Sequence, residues 1–428
     1  MNAPPLPALL PAPLPGCPEP AERGARPFAG HPLFSLANVY RAFRACRRRK
    51  RGTAGAIAFE ARLEDELVAL HEELESGTWK PRPFTVFLVS KPKKREIFAA
   101  DFRDRVVHHV LAGHLTPRWE RRFIHDSYAC RVGKGTHAGV ERLRSFTRQA
   151  TANGTREAWY LQLDVRGFFC SIDRQRLFDR LARIERDPAV LWLLRTMVFD
   201  DPTEGCRLRR VTREELLRLP AHKTLFRAAP GCGLPIGNLT SQLFANVFLD
   251  ALDQHVKHGL GARWYVRYCD DLVLLSSERA ELVALEAAVG AFLEDRLSLA
   301  LNERRRLRPV SDGVDFLGYV VRPEYLLVRR RVAGALKDRL STVGPALAEA
   351  PTDLPRVQRW LASYHAHLAF ASSRRLVASL RRRHPWLDET FAFRPGRAPR
   401  LRARRAAPAA RPGRSSHGTT TSRRGVAR

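Results

Sequence analysis

The chain has 428 residues, with 74 lysines and arginines against 44 aspartates and glutamates, so its formal net charge is +30 at pH 7. This excess argues against an acidic solvating protein or a near-neutral metabolic enzyme. It favours a polyanionic partner, either nucleic acid or an anionic membrane surface. A coding sequence rich in G and C, which enriches arginine everywhere, is the alternative that composition leaves open.

The cysteines and the apolar segments indicate the cellular compartment in which the protein acts. Its seven cysteines include no CxxC pair, which argues against a zinc ribbon or a disulfide framework and favours a reducing compartment. No apolar run approaches the ~18 residues that a membrane span needs, and the proline-broken N-terminus lacks the basic segment of a signal peptide. We therefore expect a cytoplasmic protein with no membrane partner.

Both ends of the chain are predicted to be disordered. Residues 1–30 are rich in proline and show no periodic apolar pattern. Residues 396–428 hold ten arginines and no acidic residue. Such a segment cannot bury a core, so it is predicted to be a flexible basic tail.

Between these ends, helical and strand patterns alternate, which predicts an α+β fold. Apolar residues at helical spacing over 59–76 predict a helix that Gly77 ends. Two strands are predicted over 84–98, around a basic turn, and another over 158–165, which carries Asp164 near its end.

The second half of the chain continues the alternation. Residues 264–275 read as a β-hairpin whose tight turn is Cys269-Asp270-Asp271. Helices are predicted from about residue 174 and over 239–258, 280–296 and 331–383.

The turn of this hairpin carries two adjacent carboxylates, Asp270 and Asp271. A turn of this kind more usually carries Asn-Gly or Asp-Gly, and two adjacent carboxylates repel each other unless a cation lies between them. Mg²⁺ suits such a site because it takes few carboxylates and completes its shell with water and phosphate oxygens. The other Asp-Asp pair, Asp200-Asp201, lies in a polar turn and is predicted only to cap or solvate a loop.

Asp164 is the candidate for a third carboxylate. It ends a strand, just before the apolar segment VRGFF, and a third carboxylate is needed to hold two metal ions for in-line displacement at phosphorus. On its own, Asp164 could equally be a turn or N-cap residue. Its place ahead of the Asp270-Asp271 hairpin favours the metal site.

Four segments in this order resemble the A, B, C and E motifs of reverse transcriptases. They are LDVRGFFCSID (163–173), GLPIGNLTSQLFANVFLD (233–250), RYCDD (267–271) and VDFLGYVV (314–321). The resemblance covers about residues 35–375. It implies a right-hand polymerase fold with fingers, a palm built on a ferredoxin-like antiparallel sheet, and a helical thumb. The implied domains are fingers over 31–157, palm over 158–322 with a fingers insertion at about 174–230, and thumb over 323–395.

The B motif narrows the resemblance to one group. Where group II intron enzymes usually have QGxxxSP, this chain has IGNLTSQ at 236–242, the form typical of diversity-generating retroelement reverse transcriptases. The resemblance therefore implies error-prone cDNA synthesis in such a retroelement. The alternatives are a stand-alone or group II intron-like reverse transcriptase in phage defence, and a catalytically idle RNA-binding protein.

The resemblance also implies a cofactor and partners. Asp164, Asp270 and Asp271 would be the catalytic carboxylates that bind two Mg²⁺ ions, with Mn²⁺ as a substitute, and the backbone carbonyl of Val165 would be a further ligand. The implied partners are an RNA template, a DNA or RNA primer, deoxynucleoside triphosphates and a small basic accessory protein.

Basic residues are implied to contact the nucleotide. Lys93, Lys94 and Arg95 would clamp the incoming triphosphate, and a solvated turn is the alternative for them. Arg131 would contact nucleotide or template.

Further residues are implied to surround the nascent base pair. Phe169 would be a steric gate against ribonucleotides, with a core phenylalanine as the alternative, and Gly237 would let the backbone approach the base pair. Ile236 replaces a glutamine that can hydrogen-bond, so it would lower fidelity, chiefly opposite template adenines. Tyr268 and Gln242 would lie near primer and template.

Overall fold

The structure is a computed structural model that describes residues 26–48, 50–90, 93–349, 354–394 and 398–401. Most of the predicted N-terminal disordered segment, the basic tail beyond Leu401, and Lys91 and Pro92 of the basic turn lie outside these residues. Between Leu326 and Leu327 the chain divides into two compact units.

The first unit combines helices with sheets, which confirms the predicted α+β class. Its helices are α1 (Leu36–Arg47), α2 (Ala54–Glu60), α3 (Leu63–Glu75), α4 (Phe102–Glu120), α5 (Thr136–Ala150), α6 (Phe168–Ser171), α7 (Arg174–Ala182), α8 (Pro188–Phe199), α9 (Arg213–Leu217), α10 (Leu239–Gln254) and α11 (Arg279–Leu297). Its strands are β1 (Thr85–Val89), β2 (Arg95–Ala99), β3 (Trp159–Asp164), β4 (Arg207–Leu208), β5 (Trp264–Tyr268), β6 (Asp271–Ser276), β7 (Arg306–Pro309), β8 (Val314–Phe316) and β9 (Tyr319–Val321). A further strand, β10 (Leu326–Val328), begins at Leu326, the last residue of the first unit.

The central sheet has the order β5-β6-β3-β7, and each neighbouring pair is antiparallel. Successive side chains of a strand point to opposite faces, and in β6 both sets are buried: Leu272 and Leu274 join the main core, and Val273 is fully buried too. The strand is therefore a continuous apolar run, as expected for a sheet that is covered on both faces. The hairpin predicted over 264–275 is confirmed as β5 and β6.

A smaller sheet has the order β2-β1-β4. β1 and β2 pair antiparallel from Thr85 opposite Ala99 to Val89 opposite Arg95, which confirms the two strands predicted over 84–98. β4 comes from the segment predicted as an insertion at about 174–230, and it pairs parallel with β1.

α10 is the central helix of the main core. Its buried side chains include the run from Leu243 to Leu249, and it packs against α4, α7 and α11. It begins at Leu239 and continues into a π-helical turn over His255–Gly259, so the helix predicted over 239–258 is confirmed.

The second unit is mainly helical. Its elements are α12 (Arg330–Glu349), α13 (Leu354–Ala369), α14 (Arg374–Arg383), α15 (Trp386–Thr390), β11 (Phe391–Ala392) and β12 (Arg400–Leu401). It has a hydrophobic core of its own, to which Leu336, Leu361 and Phe391 belong. None of the helices in the described ranges of the chain is both long and apolar enough to cross a membrane.

Three predicted boundaries differ from the structure. Phe28 is buried and its backbone N–H bonds to the Glu75 carbonyl at 3.0 Å, so the folded chain begins before residue 30. β12 pairs antiparallel with β11, so the segment predicted as a tail from residue 396 includes a strand that ends at Leu401. The helix predicted over 59–76 is interrupted at Arg62, whose φ is −130°. A new helix starts there because the acidic first turn of α3 stabilises an N-terminus.

Candidate active site

The three predicted carboxylates come together at one end of the central sheet. Asp164 is the last residue of β3, and Asp271, the first residue of β6, lies directly opposite it in the antiparallel register. Asp270 lies in the turn beside them, and its carbonyl accepts a hydrogen bond from the N–H of Val165 at 3.3 Å. Backbone pairing therefore fixes the two halves of the site to each other.

The turn that carries Asp270 is tight. Because Tyr268 pairs with Asp271, the two central residues are Cys269 and Asp270. Cys269 has φ +57°, a left-handed conformation at the first central position, as in type II′ hairpin turns. A non-glycine residue in this conformation costs on the order of 1 kcal/mol or more, so the surroundings must hold the turn in place.

Arg267 is the residue that holds the turn. Its fully buried guanidinium donates to the Cys269 carbonyl at 3.1 Å, to the Asn246 side chain at 3.1 Å and to the Ser127 hydroxyl at 3.0 Å. It also forms a salt bridge with Asp253 at 2.6 Å, and both side chains are fully buried. Burial opposes the charge of Arg267, but Asp253 outweighs that effect and raises the pKa of the guanidinium.

The pKa of Asp164 is raised by burial and then by repulsion from Asp270. The amide of Asn302 acts in the opposite direction, since its Nδ2 donates to Asp164 Oδ2 at 3.2 Å. The Asn302 backbone N–H also donates to the Asp164 carbonyl at 2.7 Å. Asn302 therefore orients the carboxylate from two points.

The chemistry of these donors suits a divalent cation. Asp164 and Asp270 supply only oxygen ligands, and a cation between them relieves the repulsion that raises the pKa of Asp164. Within the described ranges, no group of three or more His, Cys, Asp or Glu side chains is arranged to hold a metal ion. The metal-binding role of Asp164, Asp270 and Asp271 therefore stays a prediction.

Two cations of the predicted nucleotide clamp, Lys93 and Arg95, lie near the carboxylates. Lys93, Lys94 and Arg95 are all exposed, at the start of β2. Lys93 and Arg95 are near enough to Asp164 to lower the pKa of its carboxyl group. They leave exposed positive charge beside the site, and their contact with a triphosphate stays a prediction.

Backbone hydrogen bonds fix Phe169 and the loop that carries Ile236 and Gly237. Phe168 is buried, whereas Phe169 is half-buried and packs edge-to-face on it at 5.3 Å between ring centroids. The carbonyl of Phe169 accepts from the Leu234 N–H at 2.7 Å, and the carbonyl of Ile236 accepts from the Phe98 N–H at 2.9 Å. The loop that carries Ile236 is therefore fixed between α6 and β2.

Gly237 is required by the protein's own backbone. Its φ is +126°, and a Cβ atom there would lie 3.0 Å from the Phe98 carbonyl oxygen and 3.0 Å from Ile97 Cγ2. This close approach to β2 explains the glycine without any ligand. The predicted approach of Gly237 to a base pair stays a prediction.

Two residues predicted near primer and template remain accessible. Gln242 is exposed on the first turn of α10. Tyr268 is half-buried at the end of β5, with its hydroxyl 3.4 Å from the Thr136 hydroxyl. Both positions leave room for contact with a ligand.

Arg131 has a different role from the predicted one. Its side chain is 5% exposed and pairs with Glu120 at 2.8 Å. The guanidinium also donates to the carbonyls of Ile124 at 2.7 Å and Ser127 at 3.0 Å. Because these contacts occupy its donors, Arg131 fastens the loop after α4 instead of reaching nucleotide or template.

The segment that carries the three carboxylates also matches known proteins. A family model described as reverse transcriptase (RNA-dependent DNA polymerase) matches residues 89–321, more than half of the chain and the part that carries all three carboxylates. Protein YkfC of Escherichia coli (strain K12) is 28% identical over 297 residues, covering 61% of this chain and 72% of YkfC. Nuclear intron maturase 1, mitochondrial, of Arabidopsis thaliana is 31% identical over 117 residues, covering 26% of this chain and 16% of the maturase.

Among solved structures, two telomerases are similar at low identity. Telomerase from Candida albicans, in complex with a TWJ fragment of telomeric RNA, has a TM-score of 0.40 at 10% identity, covering 62% of this chain and 49% of that one. Apo telomerase from Candida tropicalis, truncated from its C-terminal domain, has a TM-score of 0.40 at 11% identity, covering 58% and 56%. This chain thus spans about half the length of these telomerases. On the match over residues 89–321, the chain belongs to the reverse transcriptase family of RNA-dependent DNA polymerases.

Proposed function

We propose that this chain copies an RNA template into DNA by extending a primer with deoxynucleoside triphosphates, using two Mg²⁺ ions that Mn²⁺ can replace. The observation that carries the proposal is the pairing of Asp164 with Asp271 across β3 and β6, beside Asp270 in the turn. Reverse transcriptases generally use divalent metal ions. When bound, such ions activate the primer 3′-hydroxyl and stabilise the charge that develops on the phosphates.

Residues of the chain bind these ions and keep the site in position. Asp164, Asp270 and Asp271 hold the ions, and the Val165 carbonyl is a further ligand. Asn302 orients Asp164, and Arg267 holds the turn under Asp270.

Contacts with the substrates fall to other groups. Lys93, Lys94 and Arg95 attract the triphosphate, since their exposed cations lie beside the site. The ring of Phe169 excludes a ribose 2′-hydroxyl, and Tyr268 and Gln242 contact primer and template.

A cytoplasmic location fits the cysteines. The six within the described ranges are all free, as expected in a reducing compartment. We propose that the protein acts there without a membrane partner.

Orientation of Asp164 by Asn302 gives a direct prediction. Asn302→Ala removes the side-chain donor and is expected to raise the Mg²⁺ concentration for half-maximal primer extension about five- to tenfold, since a hydrogen bond to a half-buried carboxylate contributes on the order of 1 kcal/mol. Thermal stabilisation of the protein by added Mg²⁺ should weaken in parallel. Glu303→Ala, an exposed neighbour without a contact to Asp164, is the control. Equal Mg²⁺ dependence of both variants would contradict the assignment.

We further propose that the copying is error-prone and serves a diversity-generating retroelement, together with a small basic accessory protein. The support is the sequence IGNLTSQ at 236–242 and the setting of Ile236. Ile236 is half-buried in a loop fixed by its hydrogen bond to Phe98. Its side chain has no polar atom, so it packs without checking hydrogen bonds of the incoming base.

Ile236→Gln tests this part of the proposal. The variant is expected to misincorporate about fivefold less often opposite template adenines, because one added hydrogen bond of about 1 kcal/mol discriminates by that factor. Sequencing of cDNA made on a defined RNA template measures the change. Leu239→Gln, a polar substitution at an exposed position three residues away, should leave the error spectrum as in the wild type. Identical spectra for wild type and Ile236→Gln would refute the fidelity role.

A further inference from the structure

Two adjoining cavities lie where the carboxyl ends of α4 and α7 approach each other. Their volumes are about 440 and 270 Å³, and they share Arg122 and Ile184 in their linings. We call them together the arginine cavity. Its lining residues are Arg118, Trp119, Arg121, Arg122, Arg180, Arg183, Ile184 and Asp250.

The arginine cavity shares no lining residue with the carboxylate site. The Gly237 loop precedes the first residue of α10, whereas Asp250 lies near the last turn. The Gln254 amide, on the final residue, donates to the Arg122 carbonyl at 2.9 Å. Arg267 joins Asp253, three residues from Asp250, to the turn that carries Asp270, so the cavity is a neighbouring site with a lining of its own.

The positive charge of the cavity is only partly balanced. Arg118 is engaged by the buried Glu185, and Arg121 Nε donates to a backbone carbonyl. Over the described ranges, Arg122, Arg180 and Arg183 form no ion pair within 4.0 Å.

Asp250 is the acidic side chain that lines the cavity. Burial raises the pKa of Asp250 to about 6, and its Oδ1 already accepts from the Gln254 amide at 3.2 Å. Burial, and then repulsion from Arg183, lowers the pKa of Arg180. Holding a half-buried cation beside other cations costs free energy unless an anion offsets it.

We propose that the arginine cavity binds phosphate groups of an RNA backbone, at a segment of the template RNA away from the copied strand. Guanidinium groups pair with phosphate oxygens in bidentate geometry. Five arginines spread over two adjoining cavities fit a series of phosphates better than one small anion. This inference rests on the proposed function for the identity of the RNA, and it assigns that RNA a second anchoring site.

The test uses the full chain, a labelled RNA of about 60 nucleotides and a salt titration by fluorescence anisotropy. R122Q/R183Q is expected to weaken binding about tenfold and to reduce the slope of log K against log salt by about 1.4, the contribution of two phosphate contacts to a single strand. R41Q/R44Q, which removes two exposed arginines from α1, is the matched control and should change affinity by less than about twofold.

Each possible result either supports or overturns the inference that the arginine cavity binds RNA. Equal affinity of R122Q/R183Q and wild type for the RNA, or equal weakening by both double variants, would overturn the inference. Thermal stabilisation of the wild type, but not of R122Q/R183Q, by inorganic phosphate with no difference in RNA affinity would show a site for free anions and would also overturn it. Extension of a short primed RNA by the wild type is measured separately, so failure of the polymerase proposal is distinguishable from failure of the cavity.

Discussion

Asp270→Asn is expected to lower the rate of RNA-templated primer extension by about 1000-fold or more, which corresponds to about 4 kcal/mol of activation free energy. The substitution keeps the size of the side chain and removes its negative charge. The charge matters because Asp164 and Asp270 repel each other, and in the proposed site a divalent cation would relieve that repulsion. Single-nucleotide addition under excess enzyme measures the effect on chemistry directly.

The chain contains its own control for this substitution. Asp201 also belongs to an Asp-Asp pair, but its Oδ1 accepts from the Thr203 N–H at 2.9 Å and the Thr203 hydroxyl at 2.7 Å. This confirms, for Asp201, the prediction that it caps a loop. Asp201→Asn should extend primers within about twofold of the wild-type rate, a difference below about 0.5 kcal/mol. Similar rates for both variants would refute the role given to Asp270.

Folding stability of Asp270→Asn separates chemistry from structure. The change relieves repulsion with Asp164, and the amide oxygen of asparagine can still accept from the Cys269 thiol, so the thermal midpoint should stay equal or rise. A falling midpoint would mean that lost activity reflects unfolding.

Asp253→Ala is expected to lower the free energy of unfolding by about 3–5 kcal/mol, the cost of leaving a buried charge without its partner. Asp253 is fully buried and accepts from Arg267 and from the Tyr265 hydroxyl at 2.8 Å. Urea unfolding of the full chain measures the change. Arg305→Ala breaks an ion pair whose arginine is 66% exposed, and it should cost less than about 1 kcal/mol.

A double variant distinguishes the two roles of this pair. Arg267→Leu with Asp253→Leu removes both charges, and such replacements are often neutral or stabilising. We therefore expect much of the stability to return. Activity should stay low, because the Cys269 carbonyl still lacks the donor that holds the turn under Asp270. Full recovery of both properties would contradict the positioning role of Arg267.

The parts of the fold that the sequence predicts are those governed by local pattern. Alternating and continuous apolar residues locate β5 and β6, and the position of Asp270 and Asp271 between them locates the turn. The placement of Asp164 opposite Asp271 agrees with the motif order. Each of these features depends on neighbours within a few residues or on a motif.

The residues that sequence reasoning missed act through contacts between distant segments. Asn302 reaches Asp164 across 138 residues, and Arg267 reaches Ser127 across 140. The only local signal for Arg267 is an arginine inside the apolar strand WYVRY, which indicates burial but not a partner. The error for Arg131 is the opposite one, because the motif suggested a contact with a ligand. The motif could not reveal that Glu120 and two backbone carbonyls already accept the hydrogen bonds of its guanidinium.

In the proposed function, the Asp164, Asp270 and Asp271 site makes DNA on an RNA template. The most direct measurement is extension of a labelled DNA primer on a defined RNA, with deoxynucleotides and Mg²⁺, by the wild type and by Asp270→Asn. We predict full-length, RNase-resistant cDNA from the wild type and none from the variant, although both bind the primed RNA. Tight binding of the primed RNA by the wild type without any extension would contradict the account and would identify an RNA-binding protein that kept the fold.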